Sequence, residues 1–554
     1  MLKSTLNIAR SKFGKFILIL AIILGGYVII FKFFTNINKP DVRKSAIENI
    51  ERRQVSDDRF EISTNYLQKN EFGLWELFLQ GSPYEIGLAS GKLSKELIEI
   101  QEEAFVDQIN TLVPSPFYLK FLKHSIAWFN RDLDVNIPLE YQKEIYGISK
   151  SVSNDYNFIA VPYERMLNYH AAHDIGHALQ DLALVGCTSF GLNLNQADSN
   201  LIIGRNFDFY INEKFAENKV VAFVKPENGY NFMSVTWASM IGVVSGMNDK
   251  GLTVTLNAAK SDIPFKSATP ISILAREILQ YASNIEEAIK IAEKRKVFVS
   301  EQILIGSAFD NTAIVIEKSP SKTGIYKAKD DYLVSSNHFQ SSTFTRDENN
   351  LEYMRQSASV YREIRCTQLI NIADSLTAET AVNILRDKKG IDNIDIGIGN
   401  EKAMCQMISH HAVVFMPEQL KVWVSTPPYQ LGEFVCYDLK EIFNSNIIHH
   451  DTSNIIMKDD FITNGNFSNY LTYKNLSKSF NDVINNKNQI ANIDYLISDL
   501  IRLNPNYYKT YVLAADYFSS VNDTVNTHKY LEKALNCEFE NTITKEIITE
   551  RLNY

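Results

Sequence analysis

Five side chains of the types that cut or form acyl bonds fall in short, distinctive segments. They are Cys187 in VGCTSF, Arg205 and Asp208 in IIGRNFDF, Asn257 in GMNDKGLTVTLNAA, and Asn337 in LVSSNHF. A thiolate can attack a carbonyl, a guanidinium and a carboxylate can tune its ionisation, and an amide N–H can stabilise the oxyanion that forms. Taken singly, each has a plainer reading. A lone Cys in a chain of mixed texture is more often a buried apolar residue than a nucleophile. No His stands at a spacing that identifies it as the thiol's base. Arg205 and Asp208 are three apart, so they point to opposite faces of a strand or converge in a turn, and alone they read as a surface ion pair. Asn257 and Asn337 each end a strand-like run, where turn chemistry is sufficient. His170, His173 and His177, with Asp174 between them, would share one helix face, a spacing that can bind zinc.

The elements that must position these residues change character at Cys187. From about Leu67 to Gln180 the pattern is mostly helical. LSKELIEIQEEAFVDQINTLV, from Leu93, carries apolar residues at spacings of three and four. From Cys187 onward the texture is β-branched and alternating, as in SNLIIGRNFDF, KVVAFVKP, TAIVIEK and LKVWVSTPP. PISILAREILQYASNIEEAIKIAEKRK, from Pro270, is helical again. Strands grouped with helices, without strict βαβ alternation, predict an α+β layered body. Gly246, Asn248 and Gly251 shape the turn before the Asn257 strand. After Leu439 the chain is Asn-rich and then helical. Asn504 to Asn536 resembles one tetratricopeptide unit, with Tyr511, Phe518 and Ala534 where that repeat wants two aromatics and a small residue. One unit makes no solenoid, so a helical hairpin packed on the body fits equally.

Bulk composition narrows the function classes. The chain has 554 residues, 45% hydrophobic and 22% charged, which excludes wholesale disorder and a multi-span membrane protein. A net charge of −9 gives no reason to expect a nucleic-acid partner. Five Cys in so long a chain make no disulfide framework, and no CxxC spacing suggests zinc. Cys366, Cys405, Cys436 and Cys537 default to buried thiols. The local exception is FILILAIILGGYVIIF, Phe16 to Phe31, bracketed by Lys15 and Lys32. At 1.5 Å per residue it spans about 24 Å, a little short of a ~30 Å hydrocarbon core, with Phe33 and Phe34 to extend it. No small-x-small cleavage site follows, so the expectation is an uncleaved single-pass signal-anchor rather than a removed signal peptide. The catalytic part would then lie outside the cytoplasm, in a bacterial cell envelope. Residues 36–60 are polar and read as a tether.

Order and spacing make the segments more than their parts. GSPYEIGLASGKL (from Gly81), VGCTSF, GRNFDF, GMNDKGLTVTLN and HHAVVFMPEQLKVWVSTPPYQLGEFVCYDL (His410 to Leu439) together resemble the acyl-coenzyme A:6-aminopenicillanic acid acyltransferase family. More distantly they resemble the bile-salt and penicillin V hydrolases. These are self-cleaving, Cys-type N-terminal nucleophile hydrolases. The resemblance implies a four-layer αββα sandwich, no cofactor and no metal, and hence hydrogen-bonded histidines on the His170 face. It implies that Cys187 attacks the Gly186 carbonyl and becomes the start of a new chain. The freed α-amino group, with an unperturbed pKa of about 7.7–8.0, would serve as the thiol's base. A glycine before the Cys would let the backbone adopt a strained approach.

Residue by residue, the resemblance gives Asp208 the orienting of the new amine and places Arg205 beside the thiol. It gives Asn257 and Asn337 the oxyanion region, and a later Arg lies in MRQSASVYREIR, with Arg362 preferred over Arg355 and Arg365. The expected division is residues 1–35 (anchor), 36–186 (tether and helical part), 187–445 (catalytic core) and 446–554 (helical extension). The expected activity is that of a cysteine amidohydrolase or acyltransferase on a linear non-peptide amide or acyl thioester, with an amphiphilic N-acyl group suggested by the anchor. The rival from another class is an inactive scaffold that presents the C-terminal helices to a protein partner.

Overall fold

Alternation along the strands sorts their side chains into separate cores. In the strand Leu252–Ala258, Leu252, Val254 and Leu256 join one apolar cluster, while Thr253, Thr255 and Asn257 face the other way. In Ile202–Asp208, Ile203 and Ile202 belong to different clusters for the same reason. The computed structural model describes residues 30–113, 115–179, 186–196, 199–209, 213–262, 264, 266–328, 330–485 and 492–553, together with residues 16, 22 and 26.

Two sheets result. The first runs β1 (Arg53–Ser56), β2 (Arg59–Ile62), β3 (Asn65–Lys69), β4 (Trp75–Gly81), β7 (Val220–Pro226), β8 (Phe232–Thr236), β9 (Ser245–Asn248), β10 (Leu252–Ala258), β11 (Glu301–Ser307), β12 (Thr312–Lys318) and β13 (Thr323–Lys327). The second runs β14 (Tyr332–Ser335), β5 (Thr188–Leu192), β6 (Ile202–Asp208), β15 (Ser409–Met416), β16 (Lys421–Ser425) and β17 (Phe434–Asp438). Phe78, Phe223, Met247 and Leu304 of the first sheet meet Ile203, Val413, Phe415 and Val424 of the second in one core. The outer face of the first sheet packs Leu79, Val254 and Ile316 on helices including Pro83–Leu93, Leu139–Ile148 and Ile271–Tyr281. The outer face of the second packs Phe190, Ala412 and Val414 on helices Ser359–Asn371 and Ala378–Leu385. The layers are therefore helix, sheet, sheet, helix.

The part ahead of Cys187 is less helical than its pattern suggests. Residues 53–81 form β1 to β4, in the region read as tether and early helix. β4 then pairs in parallel with β7, from Trp75↔Val220 to Gly81↔Pro226. WELFLQG is a short, nearly continuous apolar run, which periodicity cannot assign when the partner strand is so distant in sequence.

The expected transmembrane anchor requires correction. Among the described residues, no helix is long and apolar enough to cross a membrane, so a single-pass membrane protein with an extracytoplasmic catalytic part is not supported. Most of Phe16–Phe31 lies outside the described residues. Its described end is helical at residues 30–34 and turns toward the body, with Phe31 6.1 Å from the Trp128 ring and 5.7 Å from His124. Hydropathy registers an apolar run and is silent about whether protein or lipid covers it.

Helices Asn466–Asn485, Ile493–Leu503, Tyr508–Ser520, Thr524–Leu535 and Thr542–Glu550 share a core of their own. In the tetratricopeptide-like hairpin Phe518 stacks on Tyr530 at 5.6 Å, Ala534 is buried and Tyr511 is half-buried. This bundle grips the body. Asn504 exchanges two hydrogen bonds with the Ile398 main chain (3.0 and 2.9 Å), and Lys509 pairs with Glu401 at 3.0 Å.

Candidate active site

Cys187 stands one residue ahead of β5, at the end of the second sheet, and is buried. β5 pairs with β6 so that Thr188 lies opposite Asn206, which brings the IIGRNFDF segment alongside VGCTSF. Arg205 and Asp208 do point to opposite faces of β6. Arg205 crosses to the first sheet, where Nη1 donates to Val244 O at 2.7 Å and to Ser245 Oγ, and Nη2 donates to Leu256 O. Nη2 also lies 3.9 Å from the Cys187 Sγ. Asn206, on the other face, donates to Leu385 O and Met404 O, and Asp208 shares that side. Opposite β6, β15 carries a bulge between Ser409 and His411, next to Asp208. Because the thiol sits at the sheet end, it is reached from both faces.

Burial dominates the electrostatics. It pushes the Cys187 thiol up to about 11, against a smaller pull from Arg205, so the thiol is protonated at neutral pH. It pushes Asp208 up to about 7, against the pull of Arg362, the Ser409 hydroxyl and Arg205. Asp208 Oδ1 has no hydrogen-bond partner and is fully buried, an arrangement that costs free energy until a donor arrives.

The asparagines occupy the same neighbourhood with their side chains committed. Asn257 accepts from Ser189 Oγ at 3.0 Å and donates to Ser335 O at 2.9 Å, tying β10 to β5 and β14. Asn337 donates to Ala258 O at 2.9 Å and accepts from Arg362 Nη2 at 2.5 Å. The Asn337 NH2 carries a second hydrogen beyond this bond, whereas Asn257 Nδ2 also makes a long contact with Ser335 Oγ at 3.5 Å. Of the three arginines, Arg362 is the one brought here, with Nε donating to Thr188 Oγ1 at 3.3 Å and Nη1 to Glu401 O at 2.9 Å. Arg365 pairs with Asp387 instead, and Arg355 offers its carbonyl to Thr542.

Gln406 is the residue that sequence reasoning missed. Its Nε2 donates to Gly186 O at 2.7 Å and to Asp208 Oδ2 at 3.1 Å. Nothing in MCQMISHH marks it, because only the fold carries it back to Gly186. The histidine face is also resolved by contacts. His170 Nε2 accepts from Ile241 N at 3.0 Å, and Asp174 Oδ2 accepts from Ile271 N at 2.8 Å. The His173 and His177 side chains lie outside the described residues. Among the described residues, no group of three or more His, Cys, Asp or Glu could hold a metal ion. Cys366, Cys405 and Cys436 are buried free thiols, and Cys537 is half-buried.

Comparison with known proteins fits this geometry. Residues 194–427 match the family model for acyl-coenzyme A:6-aminopenicillanic acid acyl-transferase. The match takes in Arg205, Asp208, Asn257, Asn337, Arg362 and Gln406, and begins after Cys187. An uncharacterized Archaeoglobus fulgidus protein is 24% identical over 309 residues, 48% of this chain and 50% of its own. A Caenorhabditis elegans N-acylethanolamine-hydrolyzing acid amidase is 22% identical over 249 residues, 42% of this chain and 66% of its own. The chain thus spans about half to two-thirds of the length of the curated relatives it matches. Among solved structures, a conjugated bile acid hydrolase from Clostridium perfringens aligns with a TM-score of 0.32 at 14% identity, over 47% of this chain and 96% of that one.

Proposed function

We propose that this chain is a self-processing cysteine amidohydrolase or acyltransferase that works through an acyl-Cys187 intermediate. The observation that carries the reading is the Gly186–Cys187 peptide itself. It is buried, its carbonyl accepts an N–H bond, the thiol faces a guanidinium, and a buried carboxylate oxygen has no donor among the described residues. In the first step Cys187 Sγ bonds to the Gly186 carbonyl carbon, the C–N bond breaks, and the amine nitrogen takes up the thiol proton. Water then adds to the thioester, the C–S bond breaks, and Gly186 ends one chain while Cys187 begins another.

The orphaned Asp208 oxygen gains its donor in the new α-ammonium group. That amine, titrating at about 7.7–8.0 when unperturbed, serves as general base to the thiol beside it. Arg205 favours the thiolate. The second hydrogen of Asn337 is one candidate for the oxyanion, and that of Asn257 is another once its long contact with Ser335 Oγ is given up. The two pieces would remain together, because β1 to β4 belong to the same sheet as β7 to β13 and the β4–β7 ladder spans the cut.

A linear non-peptide amide or acyl thioester is the substrate class, with an apolar acyl group. The support for the apolar end is a small cavity of about 60 Å³ that Phe209, the residue after Asp208, helps to wall with Phe105, Met166, Tyr169, Phe215 and Trp237, and with Gln101 and Glu102 as its polar lining. The name of the C. elegans relative, an N-acylethanolamine-hydrolyzing amidase, points the same way. Water resolving the acyl-enzyme gives hydrolysis, and an amine gives transfer. The scaffold alternative gains no support, since the C-terminal bundle spends Asn504, Lys509 and Glu538 on the body.

Intact mass of the purified chain tests the reading. It should show two pieces divided between Gly186 and Cys187, and Cys187→Ala should stay whole. A wild-type protein that remains one piece and ignores thiol-directed acyl probes would sink it. Turnover of N-acyl amines, bile-salt conjugates and acyl thioesters then ranks the substrates.

A further inference from the structure

A glycine before Cys187 is explained by space rather than by backbone strain. Gly186 is absent from the residues with positive φ, so the expected strained approach is not what requires it. A Cβ at Gly186 would stand 2.7 Å from Cδ of Gln406 and closer still to that side chain's amide oxygen and nitrogen. The Gln406 amide sits beside Gly186 and is bonded to the carbonyl of the peptide that the proposed function has breaking.

We infer that Gln406 drives self-cleavage by polarising the Gly186 carbonyl, as the hydrogen-bond donor to the oxyanion of the acyl shift. This rests on the self-processing reading and adds to it a group outside the five residues and the arginine that the sequence suggested. Three observations carry it. The N–H···O distance to Gly186 O is 2.7 Å, already that of a strong hydrogen bond. The amide orientation is fixed chemically, because both neighbours of Nε2, Gly186 O and Asp208 Oδ2, are acceptors, and only the NH2 end satisfies both.

The donor is also held in advance of reaction. Met404 O is bound by Asn206 at 2.8 Å, Cys405 N by Asp387 O at 2.8 Å, and Met407 takes a left-handed conformation at φ 58°. Cys405 and Met407 are buried against Leu431 and Phe461. A donor preset in a buried site stabilises developing charge without reorganisation. As Sγ bonds to the carbonyl carbon, the oxygen gains negative charge facing this N–H. As the C–N bond breaks, the charge returns to a thioester carbonyl.

Precursor preparations of the full chain, followed by mass over time, test the role. Gln406→Leu keeps much of the bulk and removes the donor, so cleavage should slow by about 10²–10³-fold. Loss of the bond to Asp208 Oδ2 raises the Asp208 pKa as well, so the oxyanion role is read at pH values where Asp208 is ionised in both proteins, and there the fall should persist. Hydroxylamine, which resolves a thioester once formed, should not restore the rate, since the lost step precedes the thioester. Gln406→Met serves if the Leu variant unfolds, with thermal melts reporting folding for both.

Wild type that cleaves alongside a Gln406→Leu chain that cleaves equally fast overturns this inference and leaves self-processing standing. A slowed variant that recovers the wild-type rate where Asp208 is ionised also overturns it, because Gln406 would then act only through Asp208. A slowed variant rescued by hydroxylamine overturns it too, placing the residue at thioester hydrolysis. A wild type that never cleaves removes both readings together. Gly186→Ala adds a steric check. It should unfold at lower temperature than wild type, and pairing it with Gln406→Ala should recover stability without recovering the cleavage rate.

Discussion

Two walls enclose Cys187, and they are built differently. On the side facing the first sheet, Arg205 is anchored to the main-chain carbonyls of Val244 and Leu256 and to Ser245, groups set by β9, β10 and the turn ahead of them. On the side facing the outer helices, Asp208 of β6 is met by Gln406 of a loop, residues 395–407, and Arg362, which holds Asn337, is bonded to the same loop at the Glu401 carbonyl. That loop is in turn pinned by Asn504, Lys509 and Glu538 of the C-terminal bundle. A sheet ladder holds its groups cooperatively, whereas a loop holds them only as well as its tethers do. The cationic wall is therefore expected to be rigid and the carboxylate wall adjustable.

Substitutions on each side can break that comparison. The largest effect belongs to the strand wall. Arg205→Ala strips a buried charge-assisted donor from two carbonyls and a hydroxyl, and should cost about 3–5 kcal/mol in urea melts. Stability within 1 kcal/mol of wild type, again on the order of a surface change, would show that β10 does not rely on the guanidinium. On the loop wall, Arg362→Gln should cost about 1.5–3 kcal/mol, the range for hydrogen bonds to a charged group. Cleavage should slow in the same protein, because Thr188 and Asn337 lose their shared partner.

A smaller and more telling change is Asn504→Ala, far from the thiol. It leaves both polar groups of the Ile398 main chain without partners, at about 1–3 kcal/mol. Amides of 397–407 should then exchange faster while those of β10 do not. Equal acceleration in both would erase the distinction between the walls.

A separate effect, read only through pH, concerns the buried carboxyl of Asp174. Burial pushes Asp174 up to about 8, far above its ordinary value. An acid whose pKa is raised on folding contributes stability fully present below its unfolded pKa, and loses it as pH rises through the folded one. Asp174→Asn should thus gain on wild type between about pH 4 and about pH 8, the window set by the ordinary and raised values. Parallel stability curves for the two proteins would refute the shift.

Much of the fold was legible because period-2 alternation survives in β6, β10, β12 and β16, and because the helices carry clean amphipathic spacing. β4 was not, since a short apolar run paired with a strand over a hundred residues away has no local signature, and β1 to β3, though paired with their neighbours, are short and largely polar. The anchor misled for a related reason: Phe31 turns its ring to Trp128, a contact that hydropathy cannot contain. Within the site, Cys187, Arg205, Asp208 and Arg362 converge because long side chains at a sheet end meet from opposite faces. Asn257 and Asn337 are near, with their main bonds given to the strands around them.

What the sequence determined by itself was the inventory: a Gly–Cys junction at the change from helix to strand, and a set of charged and amide residues with the order of a known family. Those follow from residue type and local spacing. What only the tertiary structure decided was which groups touch the junction. Gln406 reaches Gly186 across 220 positions, and a Cβ at Gly186 would displace that amide from the place it holds. Sequence encodes local preference, while close approach between distant segments is fixed only when the two sheets pack and the loop beside them is tied down.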